Sequence, residues 1–113
     1  MIKSKNNVEV AYLPKITEYL NELIDTLFYK EYFGTKDSAK KYVVDMKDYI
    51  DQNIAFLLKK PAPPYFLKYG KSMQYVTYNP NKHTTWYIFF QQKGNQYLIR
   101  YITNNHIEGQ YIR

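Results

Sequence analysis

The chain contains no cysteine, which removes disulfides, thiolate metal centres and a cysteine nucleophile in one step. Glycine is scarce, at 4 of 113 residues, and no glycine-rich phosphate loop occurs. There is no His-x-x-x-His pair and no Gly-x-Ser-x-Gly motif. No apolar run approaches the roughly 18 residues of a membrane span, and the opening MIKSKNNVEV lacks the apolar core of a signal peptide. The expectation is a cytoplasmic protein with no membrane partner. Acids are nearly absent from the second half. Residues 59 to 113 hold 6 lysines and 2 arginines against Glu108 alone, a net +7. Residues 1 to 58 hold 8 lysines against 9 acids, a net −1. Metal-assisted hydrolysis through a carboxylate cluster is therefore not expected, and neither a metal nor another cofactor is called for.

What the chain does have is aromatic surface and positive charge. Aromatic residues make up 19% of the sequence, with 14 tyrosines whose hydroxyls need water or partners when their rings are buried. The cationic half suits an anionic partner, with nucleic acid and an acidic protein segment the leading candidates. The length fits a single domain spanning residues 1–113.

Periodicity sets out the elements. VEVAYL alternates like a short strand, and Pro14 suits the first turn of a helix. Ile16, Tyr19, Leu20, Leu23, Ile24, Leu27 and Phe28 then recur at helical spacing up to a stop at Gly34. After capping residues near Thr35, Ala39, Tyr42, Val43, Met46, Ile50, Ile54 and Leu57 mark a second amphipathic helix. The short loop between the two predicts an antiparallel helical hairpin. Prolines 61, 63 and 64 end the second helix. Three strands follow, KSMQYVTY, HTTWYIFFQ and QYLIRYITN, joined at Asn79-Pro80-Asn81 and Lys93-Gly94-Asn95. The predicted class is α+β: an N-terminal strand, a helical hairpin and a three-stranded antiparallel meander, forming a two-layer sandwich. Such a sandwich leaves one face of its four-stranded sheet bare.

A turn centred on Gly94-Asn95 pairs residues whose numbers sum to 189. Trp86, Ile88, Phe90, Ile99 and Tyr101 then face the helices. His83, Tyr87, Phe89, Arg100, Ile102, Asn104 and His106 face the other way, with His83 opposite His106. His106, Arg100 and His83 are the candidate catalytic residues on this reading. Lys59, Lys60, Lys68, Lys71 and Lys82 together form a track for a nucleic-acid backbone, with Lys71, Lys82 and Lys68 its candidate RNA-binding residues and Tyr87 a stacking platform.

The order of elements and the stretch YIFFQQKGNQYLIRYITNNH resemble the RelE/ParE superfamily of bacterial toxins, over nearly the whole chain from Val8 to about Ile112. The resemblance implies a small basic toxin held inactive by a cognate antitoxin, in a hetero-oligomer or as a homo-oligomer when free. RelE-like members cleave messenger RNA on the ribosome without a metal, whereas ParE-like members poison DNA gyrase. Arg100 matches a basic residue of the family's last strand, and His106 resembles a histidine just after it, displaced here by Asn104 and Asn105. The family's arginine ahead of the aromatic strand is replaced around Thr85 and Trp86. On the nuclease reading His106 moves the proton, Arg100 stabilises the negative phosphate, and His83, Lys71 and Lys82 support them.

Overall fold

The computed structural model describes residues 7–112; the first six residues, read above for a signal peptide, lie outside this range, as does Arg113. The chain is α+β. Its elements are β1 (Glu9–Tyr12), α1 (Pro14–Tyr29), α2 (Lys36–Asn53), β2 (Lys60–Pro61), a 3-10 turn (Pro64–Tyr69), β3 (Gln74–Asn81), β4 (Thr84–Lys93), β5 (Gln96–Asn104) and a short α3 (Asn105–Glu108). The strands form one five-stranded mixed sheet in the order β1-β5-β4-β3-β2. β1 runs parallel to β5, and the other neighbours are antiparallel. The sheet thus has one strand more than the four expected. The addition is β2, where Lys60 and Pro61 pair with Tyr75 and Gln74. An edge strand tolerates a proline because the missing N–H would face solvent.

Both helices pack on one face of the sheet. Pro14 opens α1, where its absent N–H costs nothing, and Ile16, Leu20 and Leu23 are its buried residues. Thr35 caps α2 by accepting the Ser38 N–H at 3.0 Å, and Ala39, Val43, Met46 and Ile50 go inward. Their counterparts on the sheet are Val76, Trp86, Ile88, Phe90, Ile99 and Ile102. Two polar anchors tie the layers together. Trp86 Nε1 donates to the Tyr42 hydroxyl at 2.9 Å, and the Tyr12 hydroxyl donates to Asp51 Oδ1 at 2.6 Å.

The last hairpin corrects the expected register. From Lys93↔Gln96 to Phe90↔Ile99 paired numbers sum to 189, but from Phe89↔Tyr101 to Trp86↔Asn104 they sum to 190. The additional residue in β5 is Arg100, placed at a bulge. Arg100 and Tyr101 consequently emerge on the same side, away from the helices, and Ile102 turns into the helical core. The expected places of Tyr101 and Ile102 are therefore exchanged, because one unpaired residue reverses the alternation beyond it.

The second face is not bare, contrary to expectation. The segment 62–73 folds across it and builds a second aromatic cluster of Phe66, Met73, Tyr75 and Phe89, with Tyr69, Tyr87 and Tyr101 packed around it. The Phe66 ring, fully buried, stacks on Phe89 at 4.3 Å, and Tyr69 stacks on Tyr101 at 3.7 Å. Prolines 63 and 64 set the extended entry and the 3-10 turn that place these rings. What remains open on this face is the hairpin end of β1, β5 and β4, a shallow depression of about 360 Å³ lined by residues such as Ala11, Gln91, Gln96 and Leu98.

Candidate nucleic-acid interface

Arg100 lies between the covered and open parts of the second face. Its Nε donates to the Tyr69 carbonyl at 2.7 Å, and its Nη1 lies 3.4 Å from Gln91 Oε1. Gln91 in turn donates through Nε2 to the Lys71 carbonyl at 2.8 Å. The guanidinium is thus aimed toward the hairpin end, with the Gly70 turn laid over its stem. No carboxylate of the described residues is within ion-pair distance of it. A partly buried cation held by neutral acceptors keeps its capacity to bind an anion.

The neighbouring cations differ in their surroundings. Lys71 is exposed in the turn that follows Gly70. Lys68 Nζ sits 4.0 Å from the centre of the Tyr65 ring and 5.4 Å from that of Tyr69, and its hydrogen bond to Tyr65 holds its pKa above the ordinary value. Tyr87, expected as a stacking platform, is half-buried and meets Tyr75 edge-on at 5.9 Å.

The two histidines gather at the opposite end of the sheet. His83 and Lys82 are exposed in the turn between β3 and β4, where Asn81 Oδ1 accepts the His83 N–H at 2.8 Å. His106 is exposed on α3, its Nε2 3.1 Å from Thr84 Oγ1. Asn105 joins the two segments: it accepts the Thr85 N–H at 2.9 Å and donates to the His83 carbonyl at 3.1 Å. Asn104 caps α3 by accepting the His106 and Ile107 N–H groups at 2.9 and 3.1 Å. The residues that displace His106 along the sequence are thus the ones that fix its position.

His83, His106 and Lys82 therefore come together, and Arg100 and Lys71 come together, but the two groups do not meet, and Lys68 stands over the Tyr65 and Tyr69 rings with the Glu108 charge nearby. Arg100 is four strand residues from Asn104 on β5, about 13 Å at the usual rise per residue, and its side chain points the other way. His83 and His106 are also not ladder partners, since the paired part of the hairpin ends at Trp86↔Asn104.

A partly buried polar pair, Tyr101 with Glu108, lies outside the candidate site residues that the sequence singled out. Glu108 is buried and accepts a short hydrogen bond from the Tyr101 hydroxyl. Burial, followed by this bond and the nearby charge, pushes the Tyr101 phenol well above its ordinary pKa. The one signal available was that Glu108 is the only acid of the cationic half. Among the described residues no group of three or more His, Cys, Asp or Glu side chains is placed to hold a metal ion, and no helix is long and apolar enough to cross a membrane. Comparison with protein-family models, curated proteins and solved structures returned no match.

Proposed function

We propose that this chain is the toxin of a toxin–antitoxin module, a RelE/ParE-like domain that cleaves ribosome-bound messenger RNA in the cytoplasm without a metal. The observation that carries the reading is the cationic second face, on which Arg100 is oriented by neutral partners and the histidine pair stands at the sheet's end. The succession of β1, two helices and the β3-β4-β5 meander supports the same reading.

The separation of the two groups sets the division of labour. A single strand of RNA laid across the face brings one phosphate to Arg100 and Lys71 and another, a few nucleotides along, to His106, His83 and Lys82. There the ribose 2'-hydroxyl attacks the adjacent phosphorus, the P–O5' bond breaks, and a cyclic phosphate and a free 5'-hydroxyl result. His106 handles the proton, His83 and Lys82 offset the added charge on phosphorus, and Arg100 holds the register of the strand. The cognate antitoxin, an acidic partner, silences the domain by occupying this face.

The test is a purified translation system with mapped messenger ends. The wild type gives cuts at defined positions of the ribosome-bound message, and His106→Ala reduces the cutting rate by about a hundredfold or more. Arg100→Ala weakens message binding with the cut positions blurred. Equal cutting by His106→Ala removes the proton-transfer assignment. A second reading, a non-catalytic poison of the DNA gyrase type, is favoured by the distance between Arg100 and the histidines. Intact message together with inhibited supercoiling establishes it in place of the nuclease.

A further inference from the structure

The His106 ring has one hydrogen-bond partner among the described residues: its Nε2 lies 3.1 Å from the hydroxyl of Thr84, the first residue of β4. Both sides of this contact are held in place. Next to Thr84, the Thr85 N–H donates to Asn105 Oδ1 at 2.9 Å, and the Thr85 hydroxyl donates to Asn79 Oδ1 at 2.6 Å. His106 lies in the first turn of α3, where Asn104 Oδ1 accepts its N–H at 2.9 Å. No carboxylate of the described residues is within ion-pair distance of the ring, and Glu108, the acid of α3, is turned inward to Tyr101. A neutral hydroxyl is therefore what orients the imidazole. Nδ1 is the ring nitrogen left open.

We infer that Thr84 is a positioning residue: it holds His106 with Nε2 protonated and bonded to the hydroxyl oxygen, so that Nδ1 exchanges the proton with substrate. The identity of that substrate rests on the nuclease reading above; the state of the ring does not. In the neutral ring Nε2–H donates to Thr84 Oγ1, and the lone pair of Nδ1 faces outward. When Nδ1 takes the proton of the ribose 2'-hydroxyl, the ring becomes an imidazolium and the same Nε2–H bond persists, now charge-assisted and stronger. Transfer of a proton from Nδ1 to the departing 5'-oxygen returns the ring to its starting form. The hydroxyl thus accepts throughout the cycle and neither turns nor lets go. The reverse arrangement fails as a base, because a hydroxyl donating to a bare Nε2 requires the proton to sit on Nδ1. Nε2 could take the working role only if the substrate first displaced Thr84.

Nuclear magnetic resonance of the full chain with isotope-labelled histidine, at a pH where the rings are neutral, tests the assignment. His106 shows its proton on Nε2 and none on Nδ1. His83, whose ring has no hydrogen-bond partner among the described residues, shows the mixture of both forms found in free peptides and serves as the internal reference. Valine keeps the branched shape of threonine and loses the hydroxyl, so in Thr84→Val the His106 ring relaxes to the same mixture. On the ribosome Thr84→Val slows single-turnover cutting about tenfold without weakening message binding, and Thr84→Ser restores most of the rate. A wild-type ring protonated on Nδ1, a Thr84→Val ring that keeps the wild-type pattern, or a Thr84→Val enzyme that cuts at the wild-type rate overturns the proposal. A wild type that cuts nothing ends the nuclease reading instead, and the ring spectra still decide the place of Thr84.

Discussion

A methyl group at position 70 would lie 2.6 Å from Arg100 Nε, 2.8 Å from its Cδ and 3.0 Å from Met73 Sδ. The backbone there is extended, with φ 161°, so the demand for glycine is one of space alone. Arg100 can escape such a methyl only by giving up its bond to the Tyr69 carbonyl. Gly70→Ala is expected to cost about 1–3 kcal/mol in urea unfolding. It should also weaken RNA binding more than its loss of stability explains, because the guanidinium is re-aimed. A second prediction at this scale concerns pH. Burial and Glu108 raise the Tyr101 phenol above its ordinary value of 10.0, and burial and Asp51 do the same for Tyr12. With each folded pKa above the unfolded one, the stabilisation is complete below about pH 10 and is lost as pH rises, because the unfolded chain ionises first. Each phenol then removes up to about 1.4 kcal/mol per pH unit. Urea unfolding followed from neutral to alkaline pH should show this decline. Tyr101→Phe should flatten it, at a neutral-pH cost of about 1–3 kcal/mol for the buried carboxylate left without its donor.

Among the elements, the crossing segment 62–73 holds the second face together through Phe66. Phe66→Ala removes the ring that stacks on Phe89 and is expected to cost about 3–5 kcal/mol, read by chemical denaturation. Amide exchange should then speed up first in residues 62 to 73, while the helix-facing cluster stays protected. This segment also shows what local pattern reveals and what it hides. The helices and the three long strands were legible because their apolar periods of about 3.6 and 2 are written in consecutive residues. The stop at the prolines was legible too, but the subsequent return across the sheet is a tertiary choice of PYFLKY, whose partners Phe89 and Tyr101 lie more than twenty positions away. The bulge was hidden for a related reason. Nothing within QYLIRYITN states that Arg100 goes unpaired; the register emerges from matching Ile99 and Ile102 to one core and Tyr101 to the other. At the site, the gathering of His83 with His106 followed from meander topology. The Tyr101–Glu108 bond depended on that unseen bulge, whereas the distance to Arg100 follows from counting residues along β5.

At the scale of the whole molecule, the uneven charge becomes a geometry. The acids of the first half lie largely on the two helices, several of them paired, as in Lys36–Asp25, Lys41–Asp45 and Lys47–Asp51. The cations Arg100, Lys71 and Lys82, which form no ion pair among the described residues, belong to the sheet and its turns. Exposed ion pairs on the helices contribute little stability and leave little net field. The sheet side, in contrast, projects a positive potential that an RNA backbone should answer by releasing counterions. Binding of a labelled single-stranded RNA should therefore weaken linearly on a log–log plot against salt, with a slope of about −0.7 for each phosphate neutralised. Lys71→Glu and Lys82→Glu are each expected to lessen that slope by about 0.7 or more. Lys40→Glu, an exposed change on α2, should leave it unaltered if the strand follows the sheet face. If the helix-side change lowers the slope as much as those on the sheet side, the charge acts only as a diffuse total, and the second face loses its claim to be the interface.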